Sequence, residues 1–116
     1  MIGFLALLLF MAPAFAAPPG GVNADSPIAQ WFKDLKQPGT DYGCCSIADC
    51  RPVAYRTIGH RFQAFIDQRS FGPRAPDLWM DVPSAAVLHG HDNPVGEAIA
   101  CLYEGAIICF VAAPGT

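Results

Sequence analysis

The chain has 116 residues, a net charge of -3 at neutral pH, and five cysteines against only seven Lys and Arg. The cations form no block or stripe, which argues against nucleic acid as a partner, because nonspecific affinity comes from Lys and Arg neutralising phosphates. No segment is basic and amphipathic, so attachment to a membrane surface is equally unsupported.

Residues 3–12 are an uncharged apolar run, followed by Pro13 and then Ala14-Phe15-Ala16. This pattern of apolar run and A-x-A site predicts a cleavable signal peptide over residues 1–16, with export to the periplasm or the medium. A retained anchor would need about 20 apolar residues, and Pro13 and Pro18-Pro19 interrupt the run first, so no membrane association is expected after cleavage. Residues 17–25 hold two prolines and two glycines and read as a flexible tail. About 100 residues remain, enough for one domain that buries roughly 60 to 65 % of its unfolded-chain surface.

Ser26 followed by Pro27 fits a helix N-cap with proline at the first helical position. Ile28, Trp31, Phe32 and Leu35 then recur at helical spacing, which predicts an amphipathic helix stopped by Gln37-Pro38-Gly39. Val53, Tyr55 and Thr57, and then Phe62, Ala64 and Ile66, alternate on either side of Gly59-His60, which predicts two strands joined by a tight turn. Residues 68–77 read as a loop on turn chemistry. Leu78 to Val82 suits a third short strand, and Pro83 to Leu88 a helical turn or two. Ala98 to Tyr103 and Ala106 to Val111 form the clearest hairpin, around Glu104-Gly105.

The predicted leader sends Cys44, Cys45, Cys50, Cys101 and Cys109 to a compartment where disulfides persist, so all five are disulfide candidates. The odd number leaves at least one thiol over, open to joining a second chain in a disulfide-linked dimer. With a two-residue turn at Glu104-Gly105, Cys101 would face Ile108 and Cys109 would face Ala100. The two sulfurs would then lie on opposite faces, with one bridge from each face to the 44–50 cluster. A link such as Cys50 to Cys101 would contribute on the order of 4 kcal/mol in the chain-entropy model.

Functional chemistry can be written for several of these residues. Cys44-Cys45-Ser46-x-x-Asp49-Cys50 could supply a reactive thiol or a soft-metal site, but it lacks C-x-x-C spacing and has no cation before Arg51. His89 and His91 are the candidate metal ligands. Their segment is similar to the front of the H-x-H-x-D-H motif of metallo-β-lactamase-like hydrolases, but position 93 is Asn and no later histidine follows. Two exposed histidines at a helix C-terminus explain the pair without a metal. Cys44 or Cys45 with His60 and Asp49 would make a nucleophile, base and orienting carboxylate. With five cysteines and three histidines, chance supplies such a trio, and no catalytic residue is assigned. Trp79, just after a Pro-rich loop, is the candidate ligand-binding aromatic.

The order Trp31-x-x-x-Leu35, Gly43-Cys-Cys-Ser-x-x-Asp-Cys50, Trp79 near Val82-Pro83, Asp92-Asn-Pro-x-Gly96, Cys101 and Cys109-Phe-Val resembles a group of small, uncharacterised exported proteins of Gram-negative bacteria. That resemblance implies export and a shared fold, and it supplies no catalytic residues.

The expectation is one disulfide-stabilised α+β domain over residues 26–116, with an N-terminal amphipathic helix packed on a small, mainly antiparallel sheet. Its expected function is non-enzymatic, as a binding or interaction module with no cofactor and with an unidentified protein or small-molecule partner. The alternative is a thiol-based metal-binding or redox protein that uses the unpaired cysteine.

Overall fold

A computed structural model describes residues 26–90 and 92–115; the predicted leader, the tail at 17–25 and His91 lie outside them. The described residues form an α+β fold with small antiparallel sheets and two disulfides. No helix among them is long and apolar enough to cross a membrane.

Helix α1, Pro27–Asp34, begins where Ser26 Oγ accepts a hydrogen bond from the Ala29 N–H at 3.1 Å, satisfying one of the orphan donors of the first turn. It ends as Leu35 turns extended, with the Leu35 N–H donating to the Phe32 carbonyl. The chain loops back, so that the Cys44 N–H reaches the Leu35 carbonyl at 2.8 Å. This closure sets the one-turn helix α2, Cys44–Ile47, against the end of α1.

Two three-stranded sheets follow, where the sequence pattern suggested one. Strand β1, Asp49–Val53, pairs with β5, Ala98–Tyr103, which pairs with β6, Ala106–Val111, in the order β1-β5-β6. Strands β2, Tyr55–Ile58, β3, Arg61–Ile66, and β4, Leu78–Asp81, form the second sheet in chain order. The chain changes sheets at Ala54, which periodicity had merged into a single strand, as happens at the corners of packed sheets. Pro52 lies opposite Ile99 but on an edge strand, where a missing N–H is tolerated.

The helices α1 and α2 lie on one side of the first sheet and the second sheet on the other. Strand β5 is therefore covered on both faces, which is why Ala98, Ile99, Ala100 and Cys101 are all buried and its sequence is a continuous apolar run. Ile99 and Cys101 pack with Phe32, Leu35 and Ala48 on the helical side. Ala98 and Ala100 pack with Ala64, Ile66 and Val82 of the second sheet. Fully buried Phe110 bridges the sheets, its ring centroid 5.1 Å from Phe62 and 6.1 Å from Tyr55.

Two further elements differ from expectation. Residues 68–71 form a helical turn, α3, Gln68–Phe71, rather than a loop, because Asp67 Oδ1 caps it by accepting from the Ser70 N–H at 2.8 Å. The segment after Pro83 gives only a 3₁₀ turn, Ser84–Ala86. The Leu88 N–H then donates to the Phe110 carbonyl, and the backbone runs on along β6.

Candidate functional site

All the cysteines meet in the layer between the first sheet and the helices. Glu104 and Gly105 both take positive φ, 47° and 80°, as a two-residue type I′ turn requires. Tyr103 accordingly pairs with Ala106 and Leu102 with Ile107. A bulge then intervenes, and Cys101 pairs with Cys109. The expectation that these two sulfurs occupy opposite faces is thus overturned. The turn has the expected length, but Ile108 is an extra residue on β6 and flips everything beyond it. Ile108 and Cys109 consequently both belong to the helix-side cluster.

The bridges still run from the 44–50 cluster to the last hairpin, both on one side of the sheet. Cys44 on α2 is bonded to Cys109 on β6, and Cys50 on β1 to its directly opposed neighbour Cys101 on β5. Cys45 is the free thiol. Its Sγ lies 2.7 Å from Cys50 Sγ. Two groups of sulfurs lie mutually within 4.8 Å, Cys44 with Cys101 and Cys109, and Cys45 with Cys50 and Cys101. Among the described residues no histidine or carboxylate joins either group.

Burial pushes the Cys45 thiol up from its ordinary 9.0 to about 11, and the nearby Arg51 guanidinium offsets only part of that. A catalytic cysteine that works at neutral pH needs the opposite displacement. Cys44, the other nucleophile available to a catalytic trio, is consumed in a bridge and fully buried. Asp49 is exposed at the start of β1. His60 sits in the β2–β3 turn and lines a cleft of about 420 Å³ together with Arg61, Phe62, Asp81, Ser84 and His89. The structure thus groups His60 with His89 rather than with a cysteine. His91, the other candidate ligand beside His89, falls outside the described residues.

Trp79 stands on the outer face of the second sheet, 37 % exposed. It pairs across strands with Phe65, ring centroids 5.3 Å apart, and the Arg56 guanidinium lies 4.3 Å over its ring. Beside it runs a polar ladder across all three strands. Arg56 Nε donates to Gln63 Oε1 at 2.7 Å, and Gln63 Nε2 donates to Asp81 Oδ1 at 2.8 Å. Arg61 and Asp81 add an exposed ion pair at 3.8 Å, a contact worth little in stability.

Arg56, Gln63 and Asp81 were not singled out from the sequence, although the signal was present. A two-residue turn at Gly59-His60 puts Arg56 opposite Gln63 by counting back along the hairpin, as the register confirms. Asp81 needed the β3–β4 register, which the long connection conceals. No protein-family model, curated protein or solved structure matches the chain.

Proposed function

We propose that the protein is an exported, non-enzymatic binding or interaction module of the small Gram-negative group it resembles, acting in the periplasm or medium. Its contact face is the outer surface of β2, β3 and β4. The observation that carries this reading is the stack of Arg56, Trp79 and Phe65 beside the Arg56-Gln63-Asp81 ladder. Together these put an aromatic ring, a guanidinium stacked on it and a row of hydrogen-bonded polar groups on one sheet face. Aromatic and Arg side chains are the types enriched where proteins bind partners. Two disulfides suit a small domain in an oxidising compartment and hold the scaffold behind that face. The soft-metal form of the alternative would require reduced protein, since four of the five sulfurs are engaged in bridges.

The test places a photo-reactive side chain at Ile58, exposed and on the same face, in the native compartment, with a control at Tyr42 in the loop before α2. A discrete adduct from position 58, absent from position 42 and lost on Trp79→Ala, is the expected result. No adduct at 58, or one indifferent to Trp79→Ala, would refute the contact face. Substrate turnover in a broad hydrolase screen, abolished by one cysteine or histidine change, would refute the non-enzymatic reading.

A further inference from the structure

The Cys45 sulfur occupies a place that a spectator thiol has no reason to occupy. At 2.7 Å from Cys50 Sγ it is only about 0.6 to 0.7 Å farther than a covalent S–S bond of roughly 2.05 Å. Cys50 is already joined to Cys101, and the three sulfurs lie mutually within 4.8 Å. Three sulfurs so close can make one bridge in three ways, and the short Cys45–Cys50 approach singles out the pairing that would replace Cys50–Cys101. The chain segment permits the second way, because Cys45 is on the last described turn before β1 and only five residues from Cys50.

We propose that Cys45, Cys50 and Cys101 form an internal thiol–disulfide exchange centre that alternates between a Cys50–Cys101 bridge and a Cys45–Cys50 bridge. The Cys45 thiolate attacks Cys50 Sγ, the Cys45–Cys50 bond forms and the Cys50–Cys101 bond breaks, and Cys101 leaves as the thiolate. The proton lost by Cys45 is taken up by Cys101. One disulfide and one thiol stand on each side of the exchange, so no external oxidant or reductant is needed. The step leaves the second bridge, Cys44–Cys109, intact, although its sulfurs lie within 4.8 Å of the departing Cys101 sulfur.

The two states differ in what they hold and what they offer. In the first, the bridge ties β1 to β5 across 51 positions of sequence, and the free thiol is half-buried Cys45. In the second, the bridge spans only five positions within one local segment, β1 loses its covalent tie to β5, and the free thiol is Cys101, whose position is 1 % exposed. The Cys50–Cys101 bridge is the one the structure holds, so that form is the major one. Burial and the Arg51 cation are the two influences on the attacking thiol, and burial is the larger. Exchange is accordingly slow at neutral pH and accelerates with alkalinity. This proposal is independent of the contact face on the second sheet, and its test reads only the bridge pattern.

The intact oxidised protein is held at about pH 4 and at about pH 9.5, quenched in acid, unfolded and alkylated. Trypsin leaves Cys44, Cys45 and Cys50 on one peptide, residues 37–56, and Cys101 and Cys109 on another, residues 75–116. The expected result is label on Cys45 alone in acid. After alkaline incubation the label is divided with Cys101, in step with a new Cys45–Cys50 bridge, and its initial rate of appearance rises about tenfold per pH unit. Label confined to Cys45 at both pH values overturns the proposal. So does label reaching Cys44 or Cys109 with no Cys45–Cys50 bridge formed, which would mean general scrambling. As a second arm, Cys101→Ser refolded with glutathione disulfide should show a Cys45–Cys50 bridge and no free thiol. Free or glutathionylated Cys45 and Cys50 in that variant would contradict the exchange geometry.

Discussion

The two sheets are held together by different means. The first, β1-β5-β6, is sewn to its helices by Cys44–Cys109 and its own edge strand is sewn on by Cys50–Cys101, with side chains buried on both faces. The second, β2-β3-β4, has no covalent tie. It relies on one buried face of Ala64 and Ile66, on Tyr55 and Phe62 against Phe110, and on an outer face of exposed hydrogen bonds and ring contacts. The difference shows how a domain of this size can expose a Trp and still be stable. The covalent ties are concentrated in the first sheet, while the other sheet's outer face carries the exposed ring and polar contacts.

That contrast can be broken most directly by chemical reduction. Each bridge is worth about 2 to 4 kcal/mol, and a small domain holds only about 5 to 15 in total. Reduction should therefore remove most of the urea unfolding transition; an unchanged midpoint would show that the bridges do not hold the fold. Phe110→Ala removes the ring that joins the sheets and should cost about 3 to 5 kcal/mol in denaturant unfolding, against less than about 1 if the sheets pack without it. The thiol inside the stapled layer gives a chemical readout. Because burial disfavours its anion, the alkylation rate of Cys45 should climb tenfold per pH unit, about 1.4 kcal/mol each, until about pH 11, whereas a plateau near pH 9 would indicate an exposed thiol. Arg56→Ala should have the smallest effect on stability, about 0.5 to 1 kcal/mol, with a shift in Trp79 emission as the cation leaves the ring.

Much of this organisation could be read from residue patterns. The last hairpin has its expected bounds because two apolar runs flank a Glu-Gly turn. The β2–β3 hairpin follows from alternation around Gly59-His60. The cysteine cluster was expected to reach that last hairpin, and it does, with Cys45 left over. The facing of the sulfurs was not readable, because a bulge at Ile108 leaves no mark in composition, and one inserted residue reverses every side chain beyond it. The division into two sheets was hidden for a related reason. Val53 and Tyr55 keep the alternation of a single strand across Ala54, while their pairing partners, Ala98 and Ala64, belong to different sheets. On the outer face of the second sheet Trp79 stands out in sequence as an aromatic after a Pro-rich loop, but its cation and the polar ladder depend on cross-strand register.

The central claim, that a stapled sheet supports an unstapled one, is tested most directly by native-state hydrogen exchange under low denaturant. Ile99, Ala100 and Cys101 of β5 should exchange only through global unfolding, while amides of β2 and β4 open at distinctly lower free energy. Equal protection in the two sheets, or greater protection in β2 and β4, would contradict it.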